Sequence, residues 1–102
     1  MPRRRTVPRL SAKETLVLEL LTGKREMYGL ELVAASRGRL KRGTVYVTLG
    51  RMEDKRDVSS RLEDAPPAAG GLPRRVYEAT ALGRRLLEAH AHLARLLPEF
   101  AR

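Results

Sequence analysis

Cysteine and tryptophan are absent from the 102 residues, phenylalanine occurs once, and aromatic side chains make up only 4% of the chain. Without cysteine there are no disulfides, no thiolate zinc sites and no cysteine nucleophile. No run of about 18 apolar residues is present to span a membrane. The basic start from Met1 to Arg9 leads into a charged helical stretch rather than the apolar core of a signal peptide. His90 and His92 stand two apart on a helical pattern, so they point in different directions and cannot hold one metal from one face. Thr15, Thr22, Ser59 and Ser60 have no base at a recognisable spacing, no glycine loop cradles phosphate, and Gly70-Gly71 reads as a turn. These absences point away from an enzyme, a cofactor, a metal centre and a membrane protein, and a cytoplasmic location is expected.

What the chain does have is positive charge. Lys+Arg 21 against Asp+Glu 12 leaves a formal charge of +9, more than solubility requires. Polyanions are the natural partners of such a chain, nucleic acid first. With 42% hydrophobic residues the chain is globular, and its length suits one small core.

In chain order, Arg3, Arg4, Arg5 and Arg9 stand between and beside Pro2 and Pro8 in an extended arm, which suits either a phosphate backbone or a frayed terminus. Ser11 as N-cap with Glu14 three residues on predicts a capping box, with Leu16, Val17, Leu20 and Leu21 buried and Gly23 as the stop. A polar turn over Lys24–Gly29 then leads into a second helix from about Gly29 to Ser36, ended by Gly38. After a short basic connector, Lys41–Lys55 reads as a third helix whose core stripe is Val45, Leu49 and Met52. Its other face carries Thr44, Val47, Thr48, Arg51 and Lys55, small side chains beside cations, with Lys41 and Arg42 just ahead of the helix start. Such a face can approach a groove closely and hydrogen-bond within it, and two short helices joined through a glycine turn make a helix-turn-helix.

Beyond Lys55 the period becomes 2: Val58, Ser60 and Leu62 on the buried side, Asp57, Ser59, Arg61 and Glu63 on the other. Residues 65–73, with three prolines and two glycines, form a loop before alternation resumes over Arg74–Thr80. This hairpin is a two-stranded wing, and Arg61, Arg74 and Arg75 are expected to meet phosphates from it. Thr80 caps a long helix from Ala81 to about Leu97, whose Leu82, Leu86, Leu93, Leu96 and Leu97, extended by Phe100, exceed what one closing helix needs and predict pairing with a second copy. The expected fold is α+β, mostly α. A basic arm spans 1–10, a winged helix-turn-helix 11–80 and a dimerisation helix 81–102, all in one globular unit.

Order and spacing resemble the PadR-like family of winged-helix transcriptional regulators. The resemblance rests on Tyr28-Gly29 with Leu30 and Leu32, on Gly43-Thr44-Val45-Tyr46 followed by Leu49, Arg51, Met52 and Glu53, and on Val58. It continues through Arg75-Val76-Tyr77 and Thr80-x-x-Gly83, and covers about Ser11 to Leu97. It implies a homodimer on a palindromic operator in double-stranded DNA, usually a repressor released by a small-molecule effector, here of unidentified chemistry. Tyr46 can set its hydroxyl on phosphate or its ring between helices, and the resemblance favours phosphate. Three departures stand out: Arg56 where the family tends to have glycine, a long wing loop rich in proline and alanine, and one C-terminal helix, as in the short branch of the family. Without tryptophan, the aromatic-stacking effector pocket of some relatives is not expected. The competing reading is a winged-helix module for protein or RNA binding without operator specificity.

Overall fold

The capping box read at Ser11 is present. Ser11 Oγ accepts the Glu14 N–H at 3.1 Å and Glu14 Oε1 accepts the Ser11 N–H at 2.9 Å, opening α1 (Ala12–Lys24). The computed structural model describes residues 9–64, 70 and 72–101, with 100 and 101 described through their backbone alone. The arm residues Arg3, Arg4 and Arg5, most of the wing loop and the Phe100 side chain lie outside the described residues. Leu16, Val17 and Leu21 are buried as expected, and Leu18 is buried as well, so α1 is enclosed around most of its circumference and occupies the centre of the core.

Two expectations fail just after it. α1 passes through Gly23 and reverses at Arg25, φ 78°, whose N–H donates to Leu21 O at 2.7 Å. The supposed polar turn is then a strand, β1 (Glu26–Tyr28). A distant partner decides both outcomes, because Met27 enters the core opposite Tyr77. Three residues are too few to display a period.

α2 (Gly29–Ala35) ends at Ser36, whose buried Oγ donates to Val33 O at 2.7 Å and accepts the Leu40 N–H at 2.9 Å. The basic connector is thereby pinned, and Leu40 is anchored in the core. α3 (Val45–Asp54) begins later than the expected Lys41. Thr44 is non-helical at φ −124° and ψ −11°, and a turn closes from Val45 N–H to Lys41 O at 2.9 Å. Its stripe of Val45, Leu49 and Met52 is fully buried.

β2 (Val58–Glu63) and β3 (Arg74–Ala79) form the expected hairpin, and β1 joins the far edge of β3 in an antiparallel sheet of order β1-β3-β2. The wing is thus two strands of a three-stranded sheet. Val58, Tyr77, Ala79 and Met27 face the core, whereas Leu62, expected on that side, is 63% exposed. It pairs with Arg75 at the end of the hairpin that runs out beyond the core. α4 (Ala81–Leu96) and a 3-10 turn (Pro98–Ala101) complete a mostly helical α+β fold.

Arg56 does stand where the backbone is left-handed, at φ 65°. The Arg56 N–H donates to Glu53 O at 3.0 Å and the Asp57 N–H to Met52 O at 2.8 Å, the paired bonds of a Schellman motif that ordinarily takes glycine. Thr80 closes the same turn. Its N–H reaches Asp57 O at 3.1 Å, its hydroxyl lies 2.6 Å from Arg56 O and 3.1 Å from Asp57 O, and Oγ1 accepts the Gly83 N–H at 2.9 Å as the N-cap of α4. At Gly83 a Cβ would stand 2.1 Å from Asp57 O, so only glycine lets α4 come this close.

Replacing Arg56 with glycine is expected to raise the unfolding free energy by about 0.5–1 kcal/mol, the relief of left-handed strain less the entropy glycine adds to the unfolded chain. A shift of the urea midpoint at constant slope measures it, and no shift would show that Arg56 carries no strain. Gly83→Ala should lose about 3 kcal/mol through forced displacement of α4. Gly23→Ala, in a helix with nothing near its added Cβ, should instead gain about 0.5 kcal/mol in the same titration.

Candidate nucleic-acid interface

Burying Val45, Leu49 and Met52 turns the opposite face of α3 outward. Thr44, Val47 and Arg51 are exposed there and Thr48 is half-buried. All four line one open cleft of about 720 Å³, whose other wall is the first turn of α1 from Ser11 to Glu14. Lys41 and Arg42 are exposed in the turn before α3. The candidate reading residues therefore share one surface. Lys13 joins it from α1, a cation that the sequence pattern did not single out because it belongs to a different helix.

Lys55 is less available than its position suggests. Its ammonium donates to Glu14 Oε2 and lies 4.0 Å from the buried carboxylate of Asp57, tying the end of α3 to the start of α1. Burial raises the Glu14 carboxyl, but the Lys55 and Ser11 hydrogen bonds outweigh it and hold the group below its ordinary range. Burial also raises Asp57, and Lys55 offsets only part of that.

The wing arginines separate into two rows of the sheet. Arg61 shares its row with Val76 and Arg74 with Glu63, whereas Arg75 belongs to the alternate row with Ser60 and Tyr77. Arg61 Nη2 reaches Glu26 Oε2 at 2.9 Å, and Arg61 Nη1 reaches Glu63 Oε2 at 3.2 Å. Hydrogen bonding to Glu63 and the charge of Glu26 push the Arg61 guanidinium upward in pKa. Arg74 stacks on Tyr28, its Cζ 4.0 Å from the ring centroid and its Nη2 3.1 Å from the hydroxyl, while that hydroxyl donates to Glu63. The Glu63 carboxyl is held low by Tyr28 and Arg61. Arg75 is exposed and contacts a hydroxyl rather than a carboxylate, with Nη1 3.0 Å from Ser60 Oγ.

Tyr46 is 49% exposed, and its ring lies against Gly29 at the start of α2. Of the two alternatives read for it, the ring does pack between helices, its phenol end lying against Gly29 of α2. On α4, Leu86 and the unanticipated Leu87 pack partly buried against the core, Leu93 is half-buried, and Leu82, Leu96 and Leu97 are 43%, 63% and 40% exposed. Among the described residues no group of three or more His, Cys, Asp or Glu is arranged to hold a metal ion, and no helix is long and apolar enough to cross a membrane.

Residues 17–89 match the model of the Transcriptional regulator PadR-like family. Among curated proteins none matches the chain. Among solved structures, a PadR family transcription regulator from hypervirulent Clostridium difficile R20291 is 30% identical, with a TM-score of 0.72 over 87% of this chain and 93% of that one. A PadR family transcriptional regulator from Eggerthella lenta DSM 2243 is 27% identical, with a TM-score of 0.70 over 84% of this chain and 74% of that one. The family match spans more than half of the chain, and the chain belongs to the PadR-like family of DNA-binding transcriptional regulators.

Proposed function

We propose that this regulator is a homodimer that binds a palindromic operator in double-stranded DNA and represses transcription there, with α3 as the reading helix. The observation that carries the reading is the outward face of α3. Thr44, Val47, Thr48 and Arg51 line one open cleft, backed by a fully buried stripe that holds the helix rigid. Arg51 is the guanine reader, because its planar fork donates twice to one base edge. Val47 is 55% exposed on an otherwise polar surface and suits a thymine methyl. Thr44 and Thr48 bond base or phosphate. Lys41, Arg42, Arg75, Tyr46 and the Arg3, Arg4 and Arg5 arm add contacts to the backbone that carry no sequence information. Arg61 and Arg74 add less, because two carboxylates engage the first and an aromatic ring holds the second.

Dimerisation rests on α4. Leu82, Leu96, Leu97 and the half-buried Leu93 leave an apolar stripe that a second copy covers through a two-fold, self-complementary contact, with Leu86 below it. Two reading helices related in this way meet successive major grooves about 34 Å apart, so the operator repeats the symmetry of the protein. Repression follows where that operator overlaps a promoter, and a small-molecule effector that favours a different dimer geometry releases it. On this reading the protein acts in the cytoplasm as a binding protein rather than an enzyme.

Selection of bound sequences from random duplex DNA tests the reading directly: one enriched palindrome is expected, whereas equal binding of all duplexes or a preference for single-stranded RNA would overturn it. Arg51→Ala should relax the preference at one position and cost about 1–3 kcal/mol on the selected site. Arg75→Ala should weaken all duplexes alike and lower the salt slope by about 0.9. Identical loss profiles would refute this division of roles. Leu96→Glu, at an exposed position, should leave the melting temperature of the chain's own core nearly unchanged while sedimentation shifts from dimer to monomer. A dimer that persists would remove α4 from the interface.

A further inference from the structure

A glycine inside a helix needs a reason, since it costs about 1 kcal/mol relative to alanine. Gly29, in the first turn of α2, has no positive φ to account for it. Space does account for it: a Cβ there would stand 2.5 Å from Cε1, 2.6 Å from Cζ and 2.7 Å from the hydroxyl of Tyr46. The missing side chain is a seat for the Tyr46 phenol. That phenol lines a cleft of about 320 Å³ between the start of α2 and the wing, together with Gly29, Pro73, Arg75, the Tyr28-stacked Arg74 and the carboxylate of Glu31, which accepts the Tyr28 N–H at 2.8 Å.

Arg75 is held on the wing side of the same cleft by a second neighbour. Its Nη1 donates to Ser60 Oγ at 3.0 Å, and Ser60 in turn donates to Glu53 Oε2 at 2.6 Å. Glu53 belongs to the last turn of α3, so a chain of hydrogen bonds runs from that helix across β2 to the wing arginine. A guanidinium has five N–H donors, and among the described residues Ser60 is the only hydrogen-bond partner of Arg75. Arg75 is exposed and lines the cleft. Burial raises the Tyr77 phenol, and the charge of Arg75 works against that while Glu53 and Tyr46 add to it.

We propose that Gly29 and Ser60 are positioning residues, Gly29 seating the Tyr46 phenol and Ser60 steering the Arg75 guanidinium, so that the cleft between α2 and the wing grips one backbone phosphate of duplex DNA from two sides. The inference rests on the DNA-binding reading and goes beyond it. Tyr46 belongs to α3 and Arg75 is linked to α3 through Glu53, so the gripped phosphate sets how deeply that helix enters the groove. Removing the Ser60 hydroxyl leaves the charge of Arg75 in place but releases its direction, and immobilising a long side chain afresh weakens binding several-fold.

The probe is a 30-bp duplex of random sequence, titrated with the full chain by fluorescence anisotropy over a salt series, alongside melting temperatures. Arg75→Ala is expected to weaken binding about tenfold and to lower the salt slope by about 0.9. Ser60→Ala should weaken binding about threefold, with Ser60→Thr restoring it, and should add no further loss in an Arg75→Ala background. Gly29→Ala should weaken binding, and add nothing further to Tyr46→Phe. Losses that multiply in either double variant, or a Ser60→Ala chain that binds like the wild type, would overturn the positioning roles while leaving DNA binding intact. If Gly29→Ala lowers the melting temperature, the Ser60 and Arg75 cycle alone decides. Failure of the wild type to bind any duplex would instead overturn the DNA-binding reading itself, and this inference with it.

Discussion

The carbonyl of Asp57 is the point on which the rest of the molecule is aligned. It accepts the backbone N–H of Thr80 and lies within reach of the Thr80 hydroxyl, and the Cα of Gly83 presses against it. Three elements meet there: the end of α3, the start of β2 and the first turn of α4. A hydrogen bond between neutral groups contributes only about 1 kcal/mol net, but this one sets geometry rather than stability alone. With α3 locked to α4 across a single carbonyl, the outward face of α3 and the leucine stripe keep a fixed relation. A dimer formed through α4 then carries a defined separation between its two copies of α3. The Lys55 bridge to Glu14 braces the same corner from the side of α1.

Among the described residues, the non-glycine positions with positive φ are all arginines: Arg25, Arg37 and Arg56. Each stands just past the C-terminal end of a helix, where the left-handed turn costs about 1 kcal/mol for a side chain with a Cβ. A cation at that end interacts favourably with the helix dipole, by about 0.3–1 kcal/mol at an exposed site. The attraction recovers only part of the strain, so a net cost remains at Arg56, whose φ is 65°. The same choice raises the net charge of a protein whose partner is a polyanion.

Local and long-range information specify different parts of this fold. The Ser11 capping box, the Val45, Leu49 and Met52 stripe, the two wing strands and the Thr80 cap were all legible, because each is specified within about ten residues. β1 was not, since Met27 is a strand residue only by virtue of Tyr77 fifty positions later. Leu62 shows the converse. Its alternation was correct, but the hairpin extends past the core, so an inward-facing position finds nothing to pack on.

The sequence by itself determined the helix-turn-helix order, the basic character and the outward residues of α3, because periodicity and charge are properties of neighbouring residues. Only the tertiary structure decided which cations are engaged. Arg61 and Arg75 looked equivalent in the wing, yet the alternate rows of the sheet give one a pair of carboxylates and the other a single hydroxyl. Likewise Gly29 was simply the second residue of a motif until Tyr46, seventeen positions on, was found lying where its side chain would be. Such pairings depend on elements that meet only when the chain folds, and no local pattern encodes them.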